Sequence, residues 1–473
     1  MTLSTTARRS LLLVLVLGAA AACSPSDQAS APSSASHAAT PAASATAAAT
    51  ASLPAPGGDS LLIVGRIVTM ADPPIAEALL IEGGVVAAVG TRDQVMARAG
   101  ADVPVMDLGE NVAYPGFIDA HAHWIGDRGT YGFDSPTEAM DAALVRGWTS
   151  IAELWVDRDR LDELTTLADA EALPLRVDAY LALNAPAPSG EHFGDWYTGR
   201  QPGPVTDRLR VQGVKITLDN GWGTVFHWDP VELTETIGRA NAAGWQVAIH
   251  TVSREAHTMV LDAYEAALGP SGPNPLHHRI DHAIQVTDEQ LARMSALDVA
   301  TVIHLDGAAS DWVLEAEYLD HFGAANPGEA VGWLARWRDF VDAGLHVAAA
   351  TDTPWIYPGF ELTDVVGRPL DQIAGGMDGR GLANPTTPDW VLLQLLTAEE
   401  GLRAVTLDAA YALGDEARRG HLAPGTLGDV TILSGDVLAA TPDEIRAMSV
   451  IATVVGGVTE SCPEPGACPS VKD

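Results

Sequence analysis

The sequence predicts an α/β fold: a (β/α)8 barrel inserted in a small all-β sandwich module built from both chain ends. Three observations predict it. First, eight strand-like runs occur between residues 114 and 400: GFIDAHAH, WTSIAEL, LRVDAYLAL, RVQGVKITL, WQVAIHTV, HRIDHAIQV, VATVIHL and HVAAATD. Most are separated by amphipathic stretches such as DELTTLADAEA and VELTETIGRANAAG. Eight strand–helix units in a row read as a parallel barrel, which takes ~250 residues. Second, residues 59–113 carry short apolar, β-branched runs (LLIVGRIVTM, ALLIEGG, VVAAVG) parted by Gly and Pro, the pattern of an all-β module. Third, after a helical stretch that opens residues 401–460, the β pattern returns in GDVTILSG and VIATVVGGVTE. One β module assembled from both ends is the simplest account.

The rest of the chain reads as address and tether. Arg8 and Arg9 precede the unbroken apolar run Leu11–Ala22. That run is shorter than the ~20 residues needed to span a bilayer, so residues 1–22 read as a secretory signal peptide. Ala20, Ala21 and Ala22 lead into Cys23, as in a bacterial lipobox whose Cys is lipidated; Ala20 departs from the usual Leu. Ser24 after the Cys fits outer-membrane retention, and the paired arginines weakly resemble a twin-arginine signal. Residues 24–58 are nearly all Ala, Ser, Thr and Pro, which cannot build a packed core. As a flexible tether they span ~30 Å on average. The chain is therefore expected in a bacterial cell envelope, lipid-anchored. Cys462 and Cys468, in the 461–473 tail, are expected to form a disulfide in that compartment. The net charge of −35 argues against a nucleic-acid partner, whose phosphates it would repel. GxSxG and GxxxxGK[ST] segments are absent from the sequence, which disfavours serine-hydrolase and phosphate-loop chemistry.

Chemistry concentrates at strand ends. His121 and His123 sit two apart at the end of the first barrel strand, so alternation points both to one face, with Asp119 below. Catalytic groups of such barrels gather at the C-terminal strand ends, which also selects His250, His282 and Asp352 on strands five, six and eight. Histidines with one carboxylate suit zinc or a similar divalent ion. Lys215 and Lys472 are the only lysines beside 25 arginines, and Lys215 lies inside strand four. Unlike Arg, a Lys amine can lose its proton and act as a nucleophile. It can add CO2 to become a carbamate that bridges two metals; the plainer reading is a buried lysine in an ion pair.

These segments carry a family resemblance. YPGFIDAHAH, GVKITLD, the strand-end HTV, RIDHA and ATDTP resemble the metal-site strands of the amidohydrolase superfamily. AYALGDEARRGHLAPGTLGDVTIL resembles its C-terminal signature. Within it the chain is most similar to the amidohydrolase type-3 and imidazolonepropionase-like groups, which include formamide deformylases and exported dipeptidases. The resemblance implies two divalent metal ions, zinc by type: His121, His123 and Asp352 on the more buried one, His250 and His282 on the more exposed one, and an N6-carboxylated Lys215 bridging. It implies hydrolysis of an amide, lactam or N-acyl C–N bond by metal-activated hydroxide, with Asp352 as general base and then general acid. Many type-3 relatives have a long insertion after the HxH strand, which is short here, so the pocket cover differs.

Other expectations rest on less. His304, at the end of strand seven, is a candidate substrate contact or a structural residue. Trp124, Trp222 and Trp355 follow site strands and are candidates for an aromatic wall or for loop packing. Arg279 and Asp281 have the opposite parity to His282 and are expected to face the helices. Specificity is expected in loops 124–148, 185–208, 219–230 and 354–388. Rival readings are a mononuclear deaminase, an exported dipeptidase and, outside enzymes, a metal-binding surface lipoprotein with a retired site.

Overall fold

The computed structural model describes residues 60–472 except 187–188, 221–222, 307–333, 354–366, 382–386, 388, 390, 464–467 and 469–470. Cys23, Trp222 and Trp355 lie outside the described residues. Eight parallel strands follow one another in chain order: Phe117–Ala122, Trp148–Val156, Arg176–Ala182, Leu209–Thr217, Gln246–Thr251, Arg279–His282, Ala300–Ile303 and Val347–Ala349. The fold is thus the α/β barrel that the alternation predicts. Asp352 N donates to His121 O and His123 N to Thr353 O, both at 2.9 Å, so the chain leaving strand eight is tied to the end of strand one.

Near-continuous apolar strands follow from burial on both faces. The outward faces pack on the surrounding helices around Leu164, Ile237, Leu261 and Ile373. Inside, Ile118, Ala152, Tyr180, Ala248, Val302 and Ala348 pack with Ala409, Ala410, Ala412 and Leu413. Small residues dominate here because this second cluster shares the barrel interior with the helix Leu407–Ala412. Gly213 is required for the same reason: a Cβ there would lie 2.9 Å from the Tyr180 ring and 2.6 Å from Gln246 O. The interior is a packed core, so any reaction centre is confined to the strand ends.

The β module is one continuous mixed sheet. Its order is Val458–Ser461, Val450–Val455, Val430–Leu433, Val105–Pro115, Leu61–Val68, Ile75–Glu82 and Val85–Gly90, and Val471–Lys472 pairs with Val105–Pro115. The C-terminal strands join the N-terminal ones where Val430–Leu433 pairs antiparallel with Val105–Pro115, so both chain ends build the module, as the returning β pattern implies. Cys462 and Cys468 are joined in a disulfide. No helix among the described residues is long and apolar enough to cross a membrane.

A buried ion pair pins the sheet to the barrel. Arg176, which opens barrel strand three, gives Asp429 two hydrogen bonds, Nε to Oδ2 at 2.6 Å and Nη2 to Oδ1 at 2.9 Å. Burial opposes ionisation of Asp429, but Arg176 outweighs it and holds the carboxyl below its ordinary value. A depressed folded pKa contributes stability that is present above the unfolded value and is lost as pH falls through the folded one. Asp429→Ala strands a buried guanidinium and is expected to cost ~3–5 kcal/mol. Urea unfolding at neutral pH checks this; an unchanged midpoint would show that the pair is not needed to join the two parts.

Candidate metal centre

The strand ends converge on a cavity of ≈ 430 Å³. Its described lining includes His121, His123, Lys215, His250, His282 and Asp352, together with Asp127, Trp155, Pro186, Thr217, Asp219 and Asn220. Six side chains selected from five separate strands of the sequence thus meet in one place.

Backbone irregularities aim several of them. The pairing of strands one and two shifts register between Asp119 and Ala122, beside His121. His282 has φ +75° and Asp352 φ +48°, and Trp155 and Ala283 are also left-handed at +75° and +43°. Such conformations cost of order 1–3 kcal/mol each in non-glycine residues and collect at functional sites.

His282 shows the consequence. Strict alternation would send Arg279 and Asp281 to the helices. Instead both turn inward: Asp281 Oδ2 accepts from Lys215 Nζ at 2.8 Å, and Arg279 Nη2 donates to Ala120 O at 2.7 Å. The positive φ at His282 breaks the parity and brings its ring into the same space. The expectation for Arg279 and Asp281 is therefore corrected.

Three donor atoms form a tight triangle. His121 Nε2 and His123 Nε2 are 3.3 Å apart, and Asp352 Oδ1 lies 3.4 Å from the first and 3.3 Å from the second. Zinc binds nitrogen and oxygen at ~2.0–2.2 Å, which makes the edge of a tetrahedral site roughly 3.3–3.5 Å. The triangle matches that edge. A second group, His282, His304 and Asp352, has its donor atoms within 4.8 Å of one another. His250 Nε2 is buried with no hydrogen-bond partner, and its ring centroid is 4.3 Å from that of His282.

Electrostatics supports the same reading. Burial first, and then the Lys215 charge, push His121 and His250 down to about 3. Burial and the neighbouring His250 take His282 well below its ordinary value. These imidazoles are neutral at neutral pH, the form that ligates metal. Burial opposes ionisation of Asp352, but the His123 hydrogen bond and the charges of His121 and His282 hold it well below the usual carboxylate range. Burial lowers His123, yet Asp352 outweighs it and raises the group. The His123–Asp352 pair is thus built to share a cation, a proton or a metal ion. Lys215, 3% exposed, is lowered by burial, against the pull of Asp281.

The surroundings hold these groups still. Asp219 accepts from Val252 N, Ser253 N and Ser253 Oγ, which fixes the turn just beyond His250. Ser253 Oγ in turn caps the helix Arg254–Leu268. Glu153 accepts from Ile125 N and Gly126 N, anchoring the loop after His123; burial pushes it up to about 7. Asp119 accepts from Trp124 Nε1, Thr351 N and Thr351 Oγ1, bracing the chain on both sides of the triangle.

Trp124 therefore does not stand in the cavity wall. It is 1% exposed and lies behind the site on Asp119. Trp155 takes the wall position. His304 is absent from the described lining and contacts His282 instead, Nε2 to Nδ1 at 2.8 Å. Glu153 and Trp155 were not singled out from the sequence, and Asp281 was placed on the wrong face. Their roles follow from backbone bends and a bulge that no residue pattern announces.

Fold and geometry together define a (β/α)8 barrel with a histidine–carboxylate metal centre at the C-terminal ends of its strands. A profile described as "Amidohydrolase family" matches residues 132–459, and the chain belongs to that family. It is 28% identical over 275 residues to an N-substituted formamide deformylase of Arthrobacter pascens, an alignment covering 54% of this chain and 43% of the deformylase. The chain thus spans less than half the length of that relative. It is 26% identical over 455 residues to an imidazolonepropionase of Symbiobacterium thermophilum, covering 84% of this chain and 95% of that protein. An uncharacterized metal-dependent hydrolase of Pyrococcus horikoshii shares the fold at TM-score 0.64 and 18% identity, over 81% of this chain and 99% of the other.

Proposed function

We propose that this chain is a metal-dependent hydrolase that cleaves the C–N bond of a small amide, lactam or N-acyl compound. The observation that carries this is the triangle of His121, His123 and Asp352, whose edges fit a tetrahedral divalent ion. These three would hold one metal; His250 and His282 would hold a second, bridged by Lys215 as its N6-carboxylate. Bound zinc supplies Lewis acidity and lowers the pKa of water toward ~7.

The protein's own groups do the remainder. The oxygen of Asp352 not engaged by the histidines accepts a proton from the attacking water and returns it to the departing nitrogen. Carboxylation of Lys215 joins its nitrogen to the carbon of CO2 and, starting from the ion-paired ammonium, releases two protons. It also ends the 2.8 Å ion pair with Asp281, which keeps Arg279 Nε at 2.7 Å as partner. That same ion pair favours a second reading, a one-metal site with Lys215 unmodified. Export and lipid attachment at Cys23 belong to the proposal on the strength of the leader sequence.

The cavity also bears on substrate. Trp155 and Pro186 supply apolar wall, and in the described lining the sole cation, Lys215, is paired with Asp281. Apart from the metal ions, a substrate carboxylate therefore finds no free basic side chain among the described lining residues, and an unpaired or like-charge contact costs several kcal/mol. Zinc-loaded protein is expected to hydrolyse neutral N-formyl and N-acyl amines at least about tenfold faster, in kcat/KM, than the same acyl groups on amino acids or dipeptides. Equal rates would remove the charge argument. No turnover of any amide in the panel by metal-loaded protein would sink the C–N hydrolase reading.

A further inference from the structure

The ring of His304 forms a chain with two neighbours. Its Nδ1 lies 2.9 Å from Ala350 O, and its Nε2 lies 2.8 Å from His282 Nδ1. A carbonyl oxygen only accepts, so the proton of that contact is on His304 Nδ1. In the singly protonated ring Nε2 then carries a lone pair and accepts. The matching donor is His282 Nδ1–H, which leaves the lone pair of His282 on Nε2.

We propose that His304 is a positioning residue that fixes the tautomer and ring orientation of His282, so that His282 Nε2 is the atom presented to a metal ion. This rests on the metal-centre reading above but adds a residue to it. Ala350 leaves strand eight two residues before Asp352, and His304 leaves strand seven. The contact therefore also registers the ends of strands seven and eight against strand six. Partners of this kind hold a ligating imidazole by its other nitrogen, and their loss costs 10–100-fold in metal affinity.

The test uses the full chain with zinc. His304→Leu is expected to weaken zinc binding by about 10–100-fold in competition with a chromophoric chelator, with the number of ions bound at saturation unchanged. His304→Gln keeps an acceptor and a donor and is expected to restore most of that affinity. Loss of one ion per chain at saturating zinc in both variants would make His304 a direct ligand and overturn the proposal, as would unchanged affinity in His304→Leu. Independent of any variant, 15N spectra of the zinc-free parent chain are expected to show His282 protonated at Nδ1. Protonation at Nε2 would overturn the proposal even if the chain bound no zinc, an outcome that would instead count against the metal reading.

Discussion

Asp352→Asn is expected to lower kcat by about 10²–10⁴-fold, the usual share of a general acid–base group. Asparagine is a sharp probe here. It keeps the side-chain shape, and it tolerates the left-handed backbone that Asp352 adopts at φ +48°. The bond from Asp352 N to His121 O is untouched, so the link between strands one and eight persists. What is lost is the negative charge and the basic oxygen. The charge holds the His121–His123 corner together through two contacts of 3.4 and 3.3 Å. Metal content has to be counted beside the rate. A variant that keeps its full metal complement yet loses turnover locates the defect in proton transfer. A variant that loses metal as well locates part of it in ligation. Normal kcat at full metal content would show that Asp352 is neither base nor acid.

Much of this arrangement was legible in the sequence, for a definite reason. A parallel barrel buries its strands on both faces, so each reads as an apolar run, and eight such runs in order leave few alternatives. Polar residues that interrupt those runs near their ends are conspicuous, and His121, His123, Lys215, His250, His282 and Asp352 are such residues. What was not legible depends on departures from regular strand geometry. Parity placed Asp281 among the helices because parity assumes a regular strand, and His282 at φ +75° is not regular. Trp124 follows the HxH pair in sequence, yet its indole is drawn back onto Asp119. His304 was recognisable as a strand-end histidine, but only the paired distances to Ala350 O and His282 Nδ1 show which partner it serves. Side-chain identity carries the chemistry; a few left-handed residues and one register shift decide where it points.

Lys215→Arg separates the two readings of the centre. Arginine retains the positive charge, so Asp281, fully buried, keeps a cationic partner and the fold has no stranded carboxylate. It cannot be carboxylated, because a guanidinium with pKa above ~12 offers no free amine. The substitution thus removes one chemical capacity while preserving the ion pair. If an N6-carboxylated Lys215 bridges two ions, metal content by mass spectrometry is expected to fall from about two per chain to about one, with kcat down by roughly 10²-fold or more as several kcal/mol of Lewis-acid stabilisation goes. A 13C carbamate signal, present in the parent grown with labelled bicarbonate, is expected to vanish in the variant. One ion in both proteins with no carbamate signal would instead mean that the Lys215–Asp281 pair seen in the structure is the working state, and that His121, His123 and Asp352 alone make the reactive site. Two ions in both would remove Lys215 from the ligand set altogether and leave His250 and His282 to hold the second ion without a bridge.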